Sequence, residues 1–510
     1  MNDTYRKWGT LVIACMAMLI LTIDLTVLHL ALPKLSEDLA PSGTEMLWIA
    51  DIYGFALASL LVTMGNISDR IGRKRVMLVG LAAFGVISVL TAYAPTAPLL
   101  IGARALLGVA GATIMPSTLS LIRNVFTDPK ERTTAVGIWS SVSAVGFALG
   151  PIVGGLLLGH FWWGSVFLIN VPFVLVVLVA GLAVLPESRN PRPGRLDLVS
   201  VPLSAVGVLG LIYALKEAAT GGVAQAQVIV AAAAGVAALV VFVRRQTRLA
   251  EPLIDVALFR RRAFAASVGA ELIAIFAMLA MSVVFAQYFQ LVLGWSPLVA
   301  GLAGLPGGLA GGVGGALAGV LVHRFGRGPV VCAGLLLTAT GFVLFSQIGT
   351  QTPYVYMLVA MLVQGVGIGL SFAVTGDTLL ASVPKERAGA ASAISETAHE
   401  MGGALGIAVL GSVLTSAYRN GLVLPPGLPD GAAAEARDTL AGALKAAAAL
   451  PGDAAGAVAG AARQAFVGGI HATVLTGAAI LVVLAVAVPF ALRGVPKVIP
   501  EPGEEPALAP

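Results

Sequence analysis

The sequence predicts an all-α polytopic membrane protein: two six-helix bundles and an inserted two-helix hairpin, fourteen transmembrane helices in all. Three observations lead there. The 510 residues are 58% hydrophobic and only 11% charged, with a mean hydropathy of +0.93, whereas a soluble globular chain carries about 25% charged residues. Apolar segments of the roughly 20 residues needed to cross a bilayer recur along the whole length. The chain also matches itself at a shift of about 254 residues. The 61 glycines fit this class, because small residues let membrane helices approach closely.

The apolar segments place spans near 9–31, 46–66, 75–95, 98–123, 133–158, 163–185, 198–215, 226–243, 263–291, 298–322, 329–347, 354–380, 388–415 and 466–492. An even number puts both termini on one side. Of the 31 Lys and Arg residues, 24 fall in the N-terminal tail, the loops after each even span and the C-terminal tail. The opposite loops hold six, Lys34, Lys216, Arg419, Arg437, Lys445 and Arg463, and Arg104 lies within a span. Basic residues stay cytoplasmic, so both termini are expected inside a bacterial-type cell membrane.

The start, MNDTYRKWG, sets Arg6 and Lys7 before an apolar run as a signal peptide does. The run is too long and no small-residue cleavage site follows, so it is expected to stay as the first span. Cys15 and Cys332 both fall in apolar segments and indicate no disulfide framework. The loop 416–465 is expected outside. It is Ala-rich, Pro451-Gly452 breaks it into two short helices, and Asp430, Glu435, Asp438 and Asp453 balance its basic residues. A further transmembrane hairpin there is disfavoured, because those charges interrupt every apolar window.

The internal match is specific. GNISDRIGRKR begins at Gly65 and GVLVHRFGRGP at Gly319, so Gly65, Arg70, Gly72 and Arg73 fall on Gly319, Arg324, Gly326 and Arg327. PKER occurs at 129–132 and again at 384–387. Spans 1–6 therefore repeat as spans 9–14 in the same orientation, with spans 7 and 8 outside the repeat. The expected domains are an N-terminal bundle (1–186), a linker and hairpin (187–262), a C-terminal bundle (263–492) with the external loop, and a cytoplasmic tail (493–510). ESRNPRPGRLD, 187–197, reads as the linker. Parallel six-span repeats are a transporter design with the substrate site near the midplane between halves.

Six acidic residues fall within or near the ends of spans: Asp24, Asp51, Glu271, Asp377, Glu396 and Glu400. Arg104 alone is basic there. A charge at the bilayer centre costs about 2.5–3.5 kcal/mol on insertion scales, so each is a functional candidate. Asp24, in LTIDLTVLHLALP (21–33), lies at a depth similar to Asp51 and Arg104, so the three could meet. Glu396 and Glu400 are four apart on one helix face, Glu400 near mid-span. Asp377, close to the cytoplasmic end of its span, also fits an end cap. Glu271, early in span 9, also fits packing or a cavity rim. The excess of acid points to cationic cargo and protons. A buried carboxylate can hold a proton or a lipophilic cation and rarely both, and that exclusivity couples proton entry to cargo exit. Asp24→Asn is expected to fold, as the loss of an unpaired buried charge.

Other chemistries lack their motifs. There is no G-x-x-x-x-G-K-[ST] phosphate loop, and His29, His160, His323, His399 and His471 show no H-E-x-x-H spacing. The run Gly365-Val-Gly367-Ile-Gly369 lies inside an apolar span. Neither enzyme, cofactor nor metal site is expected.

GNISDRIGRKR resembles the loop 2–3 signature of the major facilitator superfamily. The resemblance implies that Gly65, Asp69, Arg70, Gly72 and Arg73 form a charge relay latching the two halves on the inner side. GFALGPIVGG (146–155) resembles the antiporter signature of drug exporters, in which Gly146, Gly150, Pro151, Gly154 and Gly155 make a smooth, kinkable face that could seat against the other half. ARALLGVAGA (103–112), LWIADIY (47–53) and SETAHEMGGALGIAVLGS (395–412) are similar to spans 4, 2 and 13 of the fourteen-span drug:proton antiporters. The match covers essentially the whole chain. It departs at span 10, where some of these pumps carry an acidic residue and this chain has none, which argues against efficient handling of divalent cations. Glu271 falls at no position that the resemblance assigns.

The resemblance implies a proton-coupled efflux antiporter of major facilitator fold for lipophilic cations: quaternary ammonium antiseptics and dyes, extending to fluoroquinolones. The proton gradient would supply the energy and no cofactor or nucleic acid would be needed, with a monomer as the working unit. Asp24, Asp51, Arg104, Glu396 and Glu400 would carry proton and cation, with Glu271 and Asp377 as lesser candidates. Two other readings stand beside it: export of an endogenous antibiotic or metabolite, and a non-transporting membrane receptor or assembly factor.

Overall fold

The computed structural model describes residues 3–493 and 495, apart from 42, 190–196, 198, 222–224, 250, 251, 255, 384–387, 426–428, 451 and 452. The side chains of some helical residues, Asp51 and Pro151 among them, also lie outside the described set. The helices run α1 (Asp3–Leu39), α2 (Gly43–Ile71), α3 (Arg73–Ala92), α4 (Ala97–Val125), α5 (Pro129–His160), the short α6 (Ser165–Leu168) and α7 (Asn170–Val184). Next come α8 (Ser200–Gly221), α9 (Ala226–Gln246) and α10 (Arg262–Gln287), the last extended by a π-turn over Tyr288–Val292. Then follow α11 (Pro297–Phe325), α12 (Arg327–Phe345), α13 (Tyr354–Ala381), α14 (Ala388–Gly421), α15 (Asp430–Asp438), α16 (Leu440–Ala448) and α17 (Asp453–Ala491). Among the described residues there is no strand, and 11 helical stretches are long and apolar enough to cross a membrane. This is a multi-pass, all-α membrane protein.

Local chemistry sets the boundaries. Asp128 caps α5 by accepting the Glu131 amide at 2.8 Å, with Pro129 at the first helical position. Ser296 and Pro297 open α11 in the same way. Gly72 (φ 125°) and Gly326 (φ 92°) each let one long helix end and the next begin with no loop between. Side chains rarely adopt that backbone region, and both glycines sit at the matching point of the internal repeat. The linker is tied down where it ends: Arg245 of α9 grips Asp197 through two hydrogen bonds of 2.6 and 2.9 Å. They hold its carboxyl well below the usual carboxylate range.

Two large apolar clusters form the interior. One is built mainly from α1–α4 and α7, with Leu21, Tyr53, Phe84, Leu107 and Val177 at its centre. The other draws on α10–α17, with Met281, Phe342, Leu410, Ile470 and Leu481. Val79, Val179 and Val230 point outward from α3, α7 and α9 as a lipid-facing surface would. The α8–α9 pair closes on itself at Gly207, Gly210 and Gly235. α8 packs on both α2 and α14, where Phe55, Ala58, Val208, Ile212 and Ala404 form a small cluster. α15 and α16, at nine residues each, are too short to cross a bilayer. α16 packs on α17, and the Tyr418 hydroxyl donates to the Ala436 carbonyl at 2.7 Å.

The halves meet most closely where α5 crosses α11. A Cβ on Gly137 would lie 2.4 Å from the Gly315 carbonyl oxygen, and one on Gly319 would lie 2.6 Å from that of Lys130. The glycine face expected to seat against the other half does something else. A Cβ on Gly146 would strike Thr22, and one on Gly150 would strike Thr26. Both threonines belong to α1 of the same half. Gly155 has open space beside it and Gly154 is buried. The motif therefore presses α5 onto α1, and the contact between halves falls on Gly137, Gly315 and Gly319.

This crossing makes a testable demand. Gly315→Val should overpack the crossing by about 1–3 kcal/mol, and only in the conformation where the halves touch there. A cysteine at Thr134, beside Gly319, in a background lacking Cys15 and Cys332, should then react with a maleimide roughly fivefold faster or more. An unchanged labelling rate would show that the crossing does not limit opening.

Candidate functional site

Among the described residues three groups of buried charge are present, each positioned by different helices. The first belongs to the N-terminal half. Asp24 of α1 is fully buried, and its Oδ2 lies 3.1 Å from Nη1 of Arg104 on α4. Its Oδ1 accepts a hydrogen bond of 2.8 Å from Asn170 at the start of α7, which also donates to Ser88 of α3 at 3.2 Å. Arg104 donates further to the Ile49 carbonyl, and its guanidinium stacks 4.9 Å from the Tyr53 ring centre and 5.8 Å from that of Phe167. Asp24 and Arg104 thus meet, as their depths allow, in a site sealed by aromatic rings. The side chain of Asp51 lies outside the described residues. Asp24 is not an unpaired charge, which corrects the expectation that Asp24→Asn is harmless to folding. Removing one partner leaves the other charge uncompensated, and that costs about 3–5 kcal/mol when buried.

The second group faces the other half. Glu271 of α10 and Glu396 of α14 are almost fully buried on either side of His399. The ring Nε2 is 3.7 Å from Glu271 Oε2 and Nδ1 is 3.5 Å from Glu396 Oε2. The Ser395 hydroxyl donates to Glu271 at 2.5 Å, and Phe372 of α13 meets the imidazole edge-on at 5.4 Å. Glu396 and His399 line a cavity of about 50 Å³ between the halves, with Met18, Trp139 and Ser141 on the opposite wall and Phe372 beside them. Glu400, one turn further along α14, lies within electrostatic reach of Tyr53 in the N-terminal half. A carboxylate, aromatic faces and polarisable thioethers are the chemistry that suits a lipophilic cation, and a cavity of this size must widen to the roughly 300 Å³ or more of a ligand pocket to admit one. Among the described residues no group of side chains fits a metal ion.

The third group forms a seam at the ends carrying most of the arginines. Asp69 Oδ1 accepts from Arg73 Nε and Nη2 at 3.0 and 2.8 Å, and its Oδ2 accepts from the Ala390 amide in the first turn of α14, at 3.2 Å. Arg123, at the end of α4, donates to the Val383 carbonyl just past α13 at 2.5 Å. Asp377 sits between an arginine of each half: Arg132 Nε at 2.5 Å and Arg327 Nη2 at 2.7 Å. Arg327 also holds Thr378. Arg70 binds Asn66 on its own helix at 2.6 Å, and Gly65 lies in the same helix. Arg73 reaches out to the Ser188 hydroxyl at 2.7 Å, which ties the segment after α7 to the seam.

Sequence reasoning placed Asp24 with Arg104 and singled out Asp69 with Arg73. It grouped Asp377 with the cargo acids, whereas the structure sets it apart in the seam. It missed Asn170, whose neutral amide passes unnoticed in an apolar span, and His399, weighed only as a metal ligand. It also counted Arg123, Arg132 and Arg327 as loop charge. The internal repeat carried a signal for two of them, since it aligns Arg327 with Arg73 and places Arg132 in the repeated PKER.

Asp24→Asn should lower stability by about 3–5 kcal/mol, and adding Arg104→Gln should recover most of the loss. Thermal unfolding in detergent, followed by intrinsic fluorescence, reads both. Wild-type stability in the single variant would show that the pair is not energetically coupled.

Residues 14–407 match the family described as the Major Facilitator Superfamily. The multidrug efflux pump LfrA of Mycolicibacterium smegmatis is 43% identical over 488 residues, covering 96% of this chain and 97% of its own. The methyl viologen resistance protein SmvA of Salmonella typhimurium is 36% identical over 490 residues, covering 96% and 99%. The tetracenomycin C resistance and export protein of Streptomyces glaucescens is 33% identical over 493 residues, covering 94% and 91%. Among solved structures, the human organic anion transporter MFSD10 superposes with a TM-score of 0.59 at 14% identity, covering 96% of this chain and 99% of that one, a likeness of fold alone. The chain belongs to the Major Facilitator Superfamily and is a transporter rather than an enzyme.

Proposed function

We propose that the protein is a proton-coupled multidrug exporter of lipophilic monovalent cations, quaternary ammonium compounds and dyes among them. The observation that carries this reading is the cleft between the halves, whose charged wall is Glu396 with His399 and whose remaining walls are mainly aromatic, aliphatic and thioether groups, with Ser140 and Ser141 the hydroxyls among them. The names of two relatives, a multidrug efflux pump and a methyl viologen resistance protein, support it. In this reading α1–α5, α6 with α7, α8–α14 and α17 supply fourteen crossings. Both termini are cytoplasmic, the bundles are 1–186 and 263–492, and the hairpin unit is 187–262. The working unit is a monomer. Asp24, Asp51, Arg104, Glu396 and Glu400 handle proton and cation, and the proton gradient drives the cycle without a cofactor. Glu271 belongs to this set through His399.

The seam of Asp69, Arg73, Arg123, Arg132, Arg327 and Asp377 is the cytoplasmic latch of this mechanism. Closed, it leaves the cleft to open outward. Gly72 and Gly326 give the helix breaks that bring Arg73 and Arg327 to it. A second reading, export of a self-made antibiotic, is favoured by the relative named for tetracenomycin C export. A substrate screen that finds tetracenomycin C or a similar neutral antibiotic and no cationic dye would select it.

In inverted vesicles an imposed proton gradient should drive ethidium uptake, and adding ethidium should dissipate the gradient. Uptake that persists with a protonophore and ATP would overturn proton coupling.

Asp69→Asn and Arg73→Ala should cripple transport while leaving equilibrium dye binding nearly unchanged. Hydrogen bonds to charged groups contribute about 1.5–3 kcal/mol, so each variant should shift the conformational balance about tenfold or more. Loss of dye binding in a normally folded variant would contradict a latch role.

A further inference from the structure

We propose that His399 is a resident counter-cation: between Glu271 and Glu396 its ring occupies the place that a cationic substrate takes, so that loading the cleft means displacing it. The proposal deepens the cation-export reading and rests on it.

Four observations converge. First, each ring nitrogen faces a carboxylate, from α10 on one side and α14 on the other. Both imidazole nitrogens are donors only when the ring is protonated, so this arrangement is satisfied by the cation and not by the neutral ring. Second, the contacts are loose. At 3.5 and 3.7 Å they lie in ion-pair range but beyond a good hydrogen bond. The other buried charges are held tightly, Asp24 by partners at 2.8 and 3.1 Å and Asp377 by partners at 2.5 and 2.7 Å. Third, the site is underfilled where it meets the cleft. Among the described residues Glu396 Oε1 is buried with no hydrogen-bond partner, and so is His399 Nε2. Both residues line the cavity, and the His399 side chain is 20% exposed where Glu271 and Glu396 are at 2% and 3%. Fourth, Phe372 already presents its ring to the imidazole. A planar organic cation taking the same place would keep that aromatic contact.

The charged groups acting on His399 are Glu271 from α10 and Glu396 and Glu400 from its own helix. On the cavity side α13 offers Phe372, α5 offers Trp139, Ser140 and Ser141, and α11 offers Gly311. Tyr53 of α2 is linked to the group only through Glu400. Asp377 of α13 is engaged by Arg132 and Arg327 in the seam. Rising pH therefore acts in one direction. The ring loses its positive charge, the cleft becomes more negative, and affinity for a monovalent cation increases. Falling pH returns the resident cation and expels the cargo.

The test is ethidium affinity of the full chain in lipid nanodiscs, by fluorescence polarisation, between about pH 5.5 and about pH 10, which spans the ordinary imidazole range and extends well above it. Wild-type affinity should rise with pH. His399→Gln removes the resident cation and keeps a hydrogen-bonding side chain. Its affinity at the acidic end should rise about tenfold, the scale on which a nearby charge acts on a buried neighbour, and its pH dependence should flatten. His399→Lys installs a permanent cation, so affinity should stay low throughout and not recover with pH. In a Glu396→Gln background the difference between the two variants should collapse. His399→Asn replaces the Gln variant if that one does not fold. Gln and Lys variants that shift affinity in the same direction overturn the proposal and leave cation export standing. A wild type that binds neutral compounds and no ethidium at any pH overturns both.

Discussion

The governing constraint is that a charge taken out of water must be answered by another charge or by an aligned dipole. Each buried acid described here has been answered, but not equally. Asp24 has an arginine and an amide, each within hydrogen-bond range. Asp377 has two arginines. Glu271 and Glu396 share one histidine at longer range. The strength of the answer sorts the groups by what each can do. A fully satisfied charge holds its helices in register until a proton or a conformational change releases it, and a partly satisfied one is open to a visitor directly. The N-terminal half therefore reads as the firmly built partner, and the polar wall of the cleft is supplied mainly by the C-terminal half.

The same constraint explains what was legible in the sequence. Fully apolar runs have one solution in lipid, the helix, because every backbone amide and carbonyl must be satisfied within the segment. Long helices could therefore be placed from hydropathy, and the depths of Asp24 and Arg104 compared by counting residues. The repeat could be aligned because Gly72 and Gly326 do a job that few other residues can. Partnership was not legible. Whether Asp24 is paired depends on the rotation of α4 about its axis, and whether Asn170 joins depends on where α6 ends. Neither quantity is written in a hydropathy pattern. The arginines of the seam were misfiled for a related reason. A guanidinium at a span end looks like loop charge until a neighbouring bundle closes over it, and Arg123, Arg132 and Arg327 are almost fully buried.

The glycines teach a similar lesson. GFALGPIVGG announced that something approaches α5 closely, and something does, but it is α1 of the same half. The contact between halves uses Gly137 and Gly315, which belong to no motif singled out beforehand, and Gly319, which opens the repeated GVLVHRFGRGP. A glycine reports that a neighbour is near. It does not report which neighbour, since any backbone or small side chain fills the space equally well.

Two of the bonds across the seam end on backbone in the C-terminal half. Asp69 takes the amide of Ala390 at the free amino end of α14, and Arg123 gives to the carbonyl of Val383 just past the carboxyl end of α13. Both follow the helix dipole, an anion at one end and a cation at the other. A main-chain partner is present whatever residue occupies the position. Replacing Val383 or Ala390 leaves its amide or carbonyl in place as long as the helix ends stay where they are, proline at 390 excepted. Genetic variation can therefore break these two bonds from the N-terminal side alone, and the burden of keeping identity falls on Asp69 and Arg123. The helix ends they grip are free to drift in sequence.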